Sequence, residues 1–487
     1  MKRSSALGSA GWSAVDYWTQ QVTALLVFIV VGNIVGPAAI GVMTMALLAM
    51  TLMMTLLLDG FSDALIQRET INADYIDTTF WLLLGLGLAA SLLLVAAAHP
   101  LAYLFHAPAL RHVLPLLAIC LPFVAITATY HGILQRELQF RILAIRTVVS
   151  QLLGFALAVV LARRGFGADS LVGYYLTARI IEAALVMPVS GIWPGLRVRR
   201  EAAAAIIGFG RHRVSNQLLG FVVMQIDRFS ASLFLGAVAV GIYSTAERIS
   251  SALINGFSGV VGRVAFPVLA ARQSDPDAFE ATLRDYMRGV AIVAMPIFTG
   301  LAVTSQDVIG TLLNAKWAAA GPLLAIISLS GVAHSSNYVL TAAINARGRP
   351  DIPVRYSVII MIMRLVCSLV AARLGGLVAI AWANLAVTYA SSPLVMAFVR
   401  PYIPGTTRIV LDVARAPLLA VLAMAGVTLL IARSLHAAHI VPVAALTVEV
   451  LAGALTYPGV LLLVLPKDLI RQLVGLVRQR SRAGSQA

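Results

Sequence analysis

The sequence predicts an all-α polytopic membrane protein with about 14 transmembrane helices, arranged as two six-helix lobes plus two C-terminal helices. Three observations predict it. First, 60% of the 487 residues are hydrophobic and 12% charged, where soluble domains run at about 45–50% and about 25%. Second, the apolar residues come in runs of the roughly 20 residues that cross a bilayer. Third, the Lys and Arg residues alternate in density from one connection to the next. A soluble enzyme, a disulfide-rich secreted scaffold and a disordered chain are thereby excluded.

Helices are expected at 12–35, 38–60, 78–98, 113–133, 146–163, 170–193 and 206–236, then at 238–264, 286–305, 321–343, 354–374, 376–399, 413–434 and 440–465. Lipid offers backbone groups no water, so each run must satisfy its own hydrogen bonds as a helix. The first run follows MKRSS and reads as an uncleaved span, since no small-residue cleavage site follows it. The turn GPAAIG (Gly36–Gly41) separates the first two helices, and GAVAVG (Gly236–Gly241) separates the seventh and eighth. The same Gly-to-Gly spacing 200 residues apart suggests a repeat: 1–200 as an N-terminal lobe and 201–400 as a C-terminal lobe, with 401–465 holding the last two helices. Two such repeats suggest a transporter with its path between lobes. Segment 265–288 reads as a turn plus an amphipathic helix leading into the ninth span. Residues 466–487 read as a basic cytoplasmic tail lying on the anionic inner leaflet.

Orientation follows from the cations. With the N-terminus inside, 25 of the 36 Lys and Arg residues fall on inner segments and six on outer loops. Five more, Arg179, Arg228, Arg248, Arg263 and Arg364, fall within spans. Arg146 is counted at the edge of the inner segment 134–147. The imbalance places both termini in the cytoplasm. It also accounts for the net charge of +15 without invoking nucleic acid. Cys120 and Cys367 sit in apolar runs and read as small buried hydrophobes. With no Cys/His cluster and no metal-ligand pair at helical spacing, no metal site or cofactor is suggested. No phosphate-binding Gly loop is present, so the chain carries no ATP motor of its own.

An ionisable group within a bilayer should face protein or water. Asp16, Arg179, Glu182, Asp227, Arg228, Glu247, Arg248 and Arg364 are the candidates. The eighth helix carries Tyr243, Glu247, Ser251 and Asn255 every four residues, which is one helical face. The tenth carries Ser330, His334, Asn337 and Thr341, and the first begins with Trp12, Asp16, Gln20 and Thr23. Such stripes line a wet cavity or glue helices together. Asp227 and Glu247 each lie nine residues from the outer turn, at a common depth of about 13 Å. Asp227–Arg248 or Arg228–Glu247 could therefore pair across the hairpin. They either pin it or release one Arg to an anionic substrate. Arg179 and Glu182 are three residues apart and can pair. Arg364 has no acidic residue nearby in sequence and is a candidate cavity cation. His334 is either a proton-coupling group or a hydrogen-bonded packing residue. All but three of the 36 cations are Arg, which suits bidentate phosphate binding but equally follows from an Arg-rich codon composition.

Six segments carry a resemblance: GWSAVDYWTQQ with the GPAAIG turn, GFSDALIQRE (Gly60–Glu69), LQRELQFRILA (Leu134–Ala144), the hairpin QIDRFSASLFLGAVAVGIYSTAERIS (Gln225–Ser250) and NARGRPDIPVR (Asn345–Arg355). In the hairpin, Asp227, Arg228, Gly236, Gly241, Tyr243 and Ala246 fit the pattern. On these segments the chain resembles the polysaccharide transporter family, the Wzx-type oligosaccharide flippases of the MOP superfamily. The resemblance implies a MOP/MATE-like fold with a central cavity opening alternately to the two faces. It implies an undecaprenyl-pyrophosphate-linked oligosaccharide as substrate, moved across the bacterial inner membrane for exopolysaccharide, O-antigen or capsule synthesis. The polysaccharide polymerase and export machinery are possible partners. The expected cavity residues are Asp16, Gln20, Arg179, Asp227, Arg228, Tyr243, Glu247, Arg248, Ser251, Asn255, His334, Asn337 and Arg364. The alternative is a MATE-like multidrug or cation antiporter, which would be expected to use unpaired acids. An enzyme is not expected, because the longest outer connections, 99–112 and 306–320, are too short to form a catalytic domain.

Overall fold

The computed structural model describes residues 6–58, 72–438 and 440–464. The GFSDALIQRE segment and the 466–487 tail lie outside the described residues. Helices account for nearly all of what is described. They are α1 (Ala6–Leu26), α2 (Pro37–Leu57), α3 (Ala73–Leu104), α4 (Leu110–Arg136), α5 (Phe140–Arg163), α6 (Ala168–Ser190), α7 (Arg200–Phe234), α8 (Gly236–Ala270), α9 (Pro276–Val303), α10 (Ala320–Ala346), α11 (Asp351–Val399), α12 (Thr406–Ala437) and α13 (Pro442–Val464). A short helix, Ser305–Leu312, joins α9 to α10.

Among the described residues, eleven helices are long and apolar enough to cross a membrane. One is α11, whose 49 residues are broken at Gly376 by a positive φ of 69°. The sequence places a boundary there, between 354–374 and 376–399. α7 and α8 are 35 residues each and are not among the eleven. Fourteen crossings are reached if α11 counts twice and α7 and α8 also cross.

The chain forms two compact units, Met1–Ser244 and Thr245–Ala487. In the first, α5 packs against α1 and α6, α3 against α4, and α2 against α7. The first helix passes through a π turn at Val27–Val31, which rotates the faces before and after it relative to one another. Both Gly turns begin with a glycine at positive φ, 83° at Gly36 and 76° at Gly236, a conformation that a Cβ disfavours. Five residues later α2 and α8 cross at Gly41 and Gly241. A Cβ on Gly41 would fall on the Ala237 carbonyl, and one on Gly241 on the Pro37 carbonyl. Three residues further, Thr44 and Ser244, again 200 apart, share a hydrogen bond of 3.3 Å. The sequence repeat is thus a reciprocal small-residue crossing, in which close approach gains dispersion and hydrogen bonding that lipid does not supply.

In the second unit, α9 packs against α10 and α12, and α12 against α13. Phe279, Phe298, Val339, Ile344, Tyr356 and Ile409 belong to one buried apolar cluster. Met295, Met424, Tyr457 and Leu461 belong to a second. The amphipathic start expected before the ninth span is present: Asp275 caps α9 by accepting from the Asp277 and Ala278 amides, both at 3.1 Å. That satisfies two of the four amides left open at a helix start.

One sequence expectation is extended and one is overturned. Arg146, the first residue of the expected helix 146–163, lies two turns inside α5, which begins at Phe140, and is 8% exposed. Cys367, read as buried, is exposed, whereas Cys120 is buried as expected. Apolar runs do not reveal which face of a span meets lipid, so a cysteine in one can point either way.

Candidate functional site

In the first unit, polar side chains from α1, α4, α5 and α6 converge. Arg179, 30% exposed, donates through Nη1 to Oε2 of Glu182 at 2.7 Å, and Glu182 is 5% exposed. The i, i+3 spacing places both on one face of α6. Ser150 on α5 donates to the other Glu182 oxygen at 3.5 Å. The Tyr174 hydroxyl donates to Gln151 Oε1 and ties α6 to α5. Arg146, one turn before Ser150, lies within electrostatic reach of Glu182, Asp16 and Arg179. His131 on α4 feels Arg146, Asp16 and Glu182. On α1, Gln20 donates to Asp16 Oδ2 at 3.2 Å.

Several polar atoms here have no partner among the described residues: Arg146 Nε and Nη1, Asp16 Oδ1 and Thr147 Oγ1. A buried donor without an acceptor costs about 1–3 kcal/mol, and more when charged. A guanidinium in that condition is a ready anion site. Its fork geometry matches phosphate oxygens, and low local polarity strengthens the attraction. Of the expected site residues, Asp16, Gln20 and Arg179 come together here. Arg146, His131, Ser150 and Gln151 complete the cluster and were missed. The signal for Arg146 was its register: Arg146 and Ser150 are one turn apart, as are Thr147 and Gln151, so a polar flank continues into the apolar run.

At the hairpin, Asp227 is buried and accepts from the Tyr243 hydroxyl at 3.1 Å. Arg228 donates to Gln225 on its own helix at 3.1 Å. In the second unit, Glu247, Arg248 and Ser251 are half-buried on α8, and Asn255 is exposed one turn further on. On α10, Asn337 donates to Ser391 of α11 at 3.2 Å. Thr341 shares a hydrogen bond of 2.7 Å with Tyr356. His334 is exposed and lies within electrostatic reach of Arg364.

The chain is thus a helical, multi-pass membrane protein with charged side chains buried among its spans. The structure is similar to that of the lipid II flippase MurJ in an inward closed conformation, with a TM-score of 0.75 at 13% identity, covering 96% of this chain and all of that one. It is also similar to an inward-facing multidrug resistance MATE family transporter of the MOP superfamily, with a TM-score of 0.63 at 16% identity over 80% of this chain and 96% of that one. The polysaccharide biosynthesis protein family matches residues 30–322, and the chain belongs to that family. Among its relatives are the teichuronic acid biosynthesis protein TuaB of Bacillus subtilis, 26% identical over 66% of this chain and 67% of the relative, and the succinoglycan biosynthesis transport protein ExoT of Rhizobium meliloti, 24% identical over 66% and 65%. The lipopolysaccharide biosynthesis protein WzxC of Escherichia coli is 22% identical over 73% of each chain. The matched stretches span about two thirds of the first two relatives' own lengths.

Proposed function

We propose that this protein is a flippase that moves an undecaprenyl-pyrophosphate-linked oligosaccharide across the bacterial inner membrane for export of a surface polysaccharide. Family membership, relatives named for glycan biosynthesis and transport, and the MurJ-like fold support the reading. The observation that carries it is Arg146, a buried guanidinium with donors left open beside Arg179. A pyrophosphate brings acceptors for those donors. The sugar headgroup needs hydroxyls and amides in place of water, which Asn337, Ser251 and Asn255 would supply. The lipid tail stays in hydrocarbon, so no bond is made or broken and no enzyme chemistry is required. In this reading the lobes are 1–200 and 201–400, both termini are cytoplasmic, and all thirteen expected residues line the path. A polysaccharide polymerase would take the delivered unit.

The test is Arg146→Met, which keeps the stem and removes the charge. Expressed in a chromosomal deletion strain, it is expected to lower surface polysaccharide at least about tenfold at unchanged membrane abundance, with lipid-linked sugar accumulating on the inner leaflet. Arg146→Lys is expected to be intermediate, because an ammonium lacks the planar fork. Normal export by Arg146→Met would remove the site. Drug resistance on overexpression, with polysaccharide intact in the deletion strain, would favour the antiporter.

A further inference from the structure

In the second unit, three donors from three separate segments meet: Asp307 on the short helix, His436 in the last turn of α12 and Glu449 on α13. One ligand atom from each lies within 4.8 Å of the others. His436 Nε2 is 3.0 Å from both Asp307 oxygens. Asp307 and Glu449 are buried, at 5% and 1% exposure, while the His436 side chain is 49% exposed. Neither Glu449 oxygen accepts a hydrogen bond from a donor group among the described residues, and its carboxyl faces that of Asp307 at hydrogen-bonding reach. Glu449 also lines a cavity of about 550 Å³ whose other walls include Pro296, Leu301, Met424, Gly453 and Tyr457.

Two buried carboxylates this close repel when both are ionised, and an apolar wall deepens the penalty. One half-exposed imidazole, His436, therefore faces two buried carboxyls. A divalent cation resolves all three at once. Two carboxylate oxygens and one imidazole nitrogen form a three-protein-ligand set with a fourth position open. Bonds of about 2.1 Å in tetrahedral geometry separate donors by about 3.4 Å, against 3.0 Å between His436 and Asp307 and at most 4.8 Å within the set here. The half-exposed imidazole gives the ion a way in. The mixed nitrogen and oxygen donors suit zinc better than magnesium or calcium, which take oxygen alone.

We propose that Asp307, His436 and Glu449 bind a divalent transition-metal cation of zinc's class, which staples α12 and α13 to the short helix after α9. Sequence reading found no such site because the donors are far apart along the chain. Van der Waals packing already brings these elements together: Gly310 lies against the Pro442 ring, where an added Cβ would be 3.4 Å away. The metal adds a bonded clamp to that seam. The proposal is independent of the flippase reading.

The experiment uses the full chain, purified in detergent with its affinity tag removed, stripped with EDTA and desalted. Zinc is added alone, and bound metal is measured by mass spectrometry after gel filtration. Wild type is expected to retain about one zinc per chain more than Glu449→Gln. Zinc is expected to raise the wild-type melting temperature and leave that of Glu449→Gln unchanged. His436→Ala, at a half-exposed position, is expected to weaken zinc binding at least about tenfold and carries the comparison if Glu449→Gln does not fold. Equal zinc retention by wild type and both variants, or equal thermal shifts, would overturn the proposal. So would magnesium or calcium competing with zinc at equal concentration.

Discussion

The two units use polar groups in opposite ways. In the first, α5 and α6 hold Arg146, Arg179 and Glu182 together, and donors on Arg146 stay open. In the second, the facing stretches of α10 and α11 are joined by neutral pairs, Asn337 with Ser391 and Thr341 with Tyr356. Neutral pairs satisfy one another and glue helices at modest energy. A buried guanidinium with open donors does not pay for itself in stability, so its retention points to a ligand. The contrast separates a cluster with open donors from a seam whose polar groups satisfy one another.

The comparison breaks most readily at the glycines. Gly41→Val is expected to abolish folded protein, because its side chain would meet the Ala237 backbone, which cannot yield. Gly331→Ala in the second unit meets the Phe298 ring instead. A ring can turn aside, so the expected cost is about 1–3 kcal/mol. Membrane abundance and thermal melting of the two variants would show the difference.

The loss of export expected for Arg146→Met comes next, and here stability sharpens the contrast. Removing open buried donors is expected to leave melting unchanged or raise it. A fall in melting temperature would make Arg146 a structural residue.

Glu182→Gln is expected to destabilise by about 2–3 kcal/mol, somewhat less than a wholly buried pair, because Arg179 keeps 30% exposure. Denaturant unfolding in detergent would measure it, and no change would mean that the Arg179–Glu182 bond is replaced by water. The smallest effect is expected for Asn337→Ala, about 1 kcal/mol for one neutral hydrogen bond. A loss of export at full abundance in this variant would support the proposed contact of Asn337 with the sugar headgroup, and normal export would remove Asn337 from the path.

Much of the fold was legible because lipid imposes so few solutions. The repeat showed itself in Gly36–Gly41 and Gly236–Gly241, since close helix crossing tolerates almost nothing but small residues. The site was legible only in part. Asp16 and Arg179 stood out as charges inside apolar runs. Arg146 did not, because at the edge of a run a cation reads equally as an inner-loop anchor. Cys367 misled for a related reason: composition reports that a segment is apolar and is silent on which side faces lipid.

Hydropathy and residue size along the chain were enough to determine a helical membrane protein with a repeated glycine crossing, because backbone hydrogen bonds must close within each span and close approach excludes Cβ atoms. Only tertiary packing decided which distant polar groups became neighbours. Arg146 gained Glu182 and Asp16 from other helices, and Asp307 gained a histidine 129 residues away. Helix rotation sets those meetings through the summed fit of many weak apolar contacts, and no local pattern of residues encodes that sum.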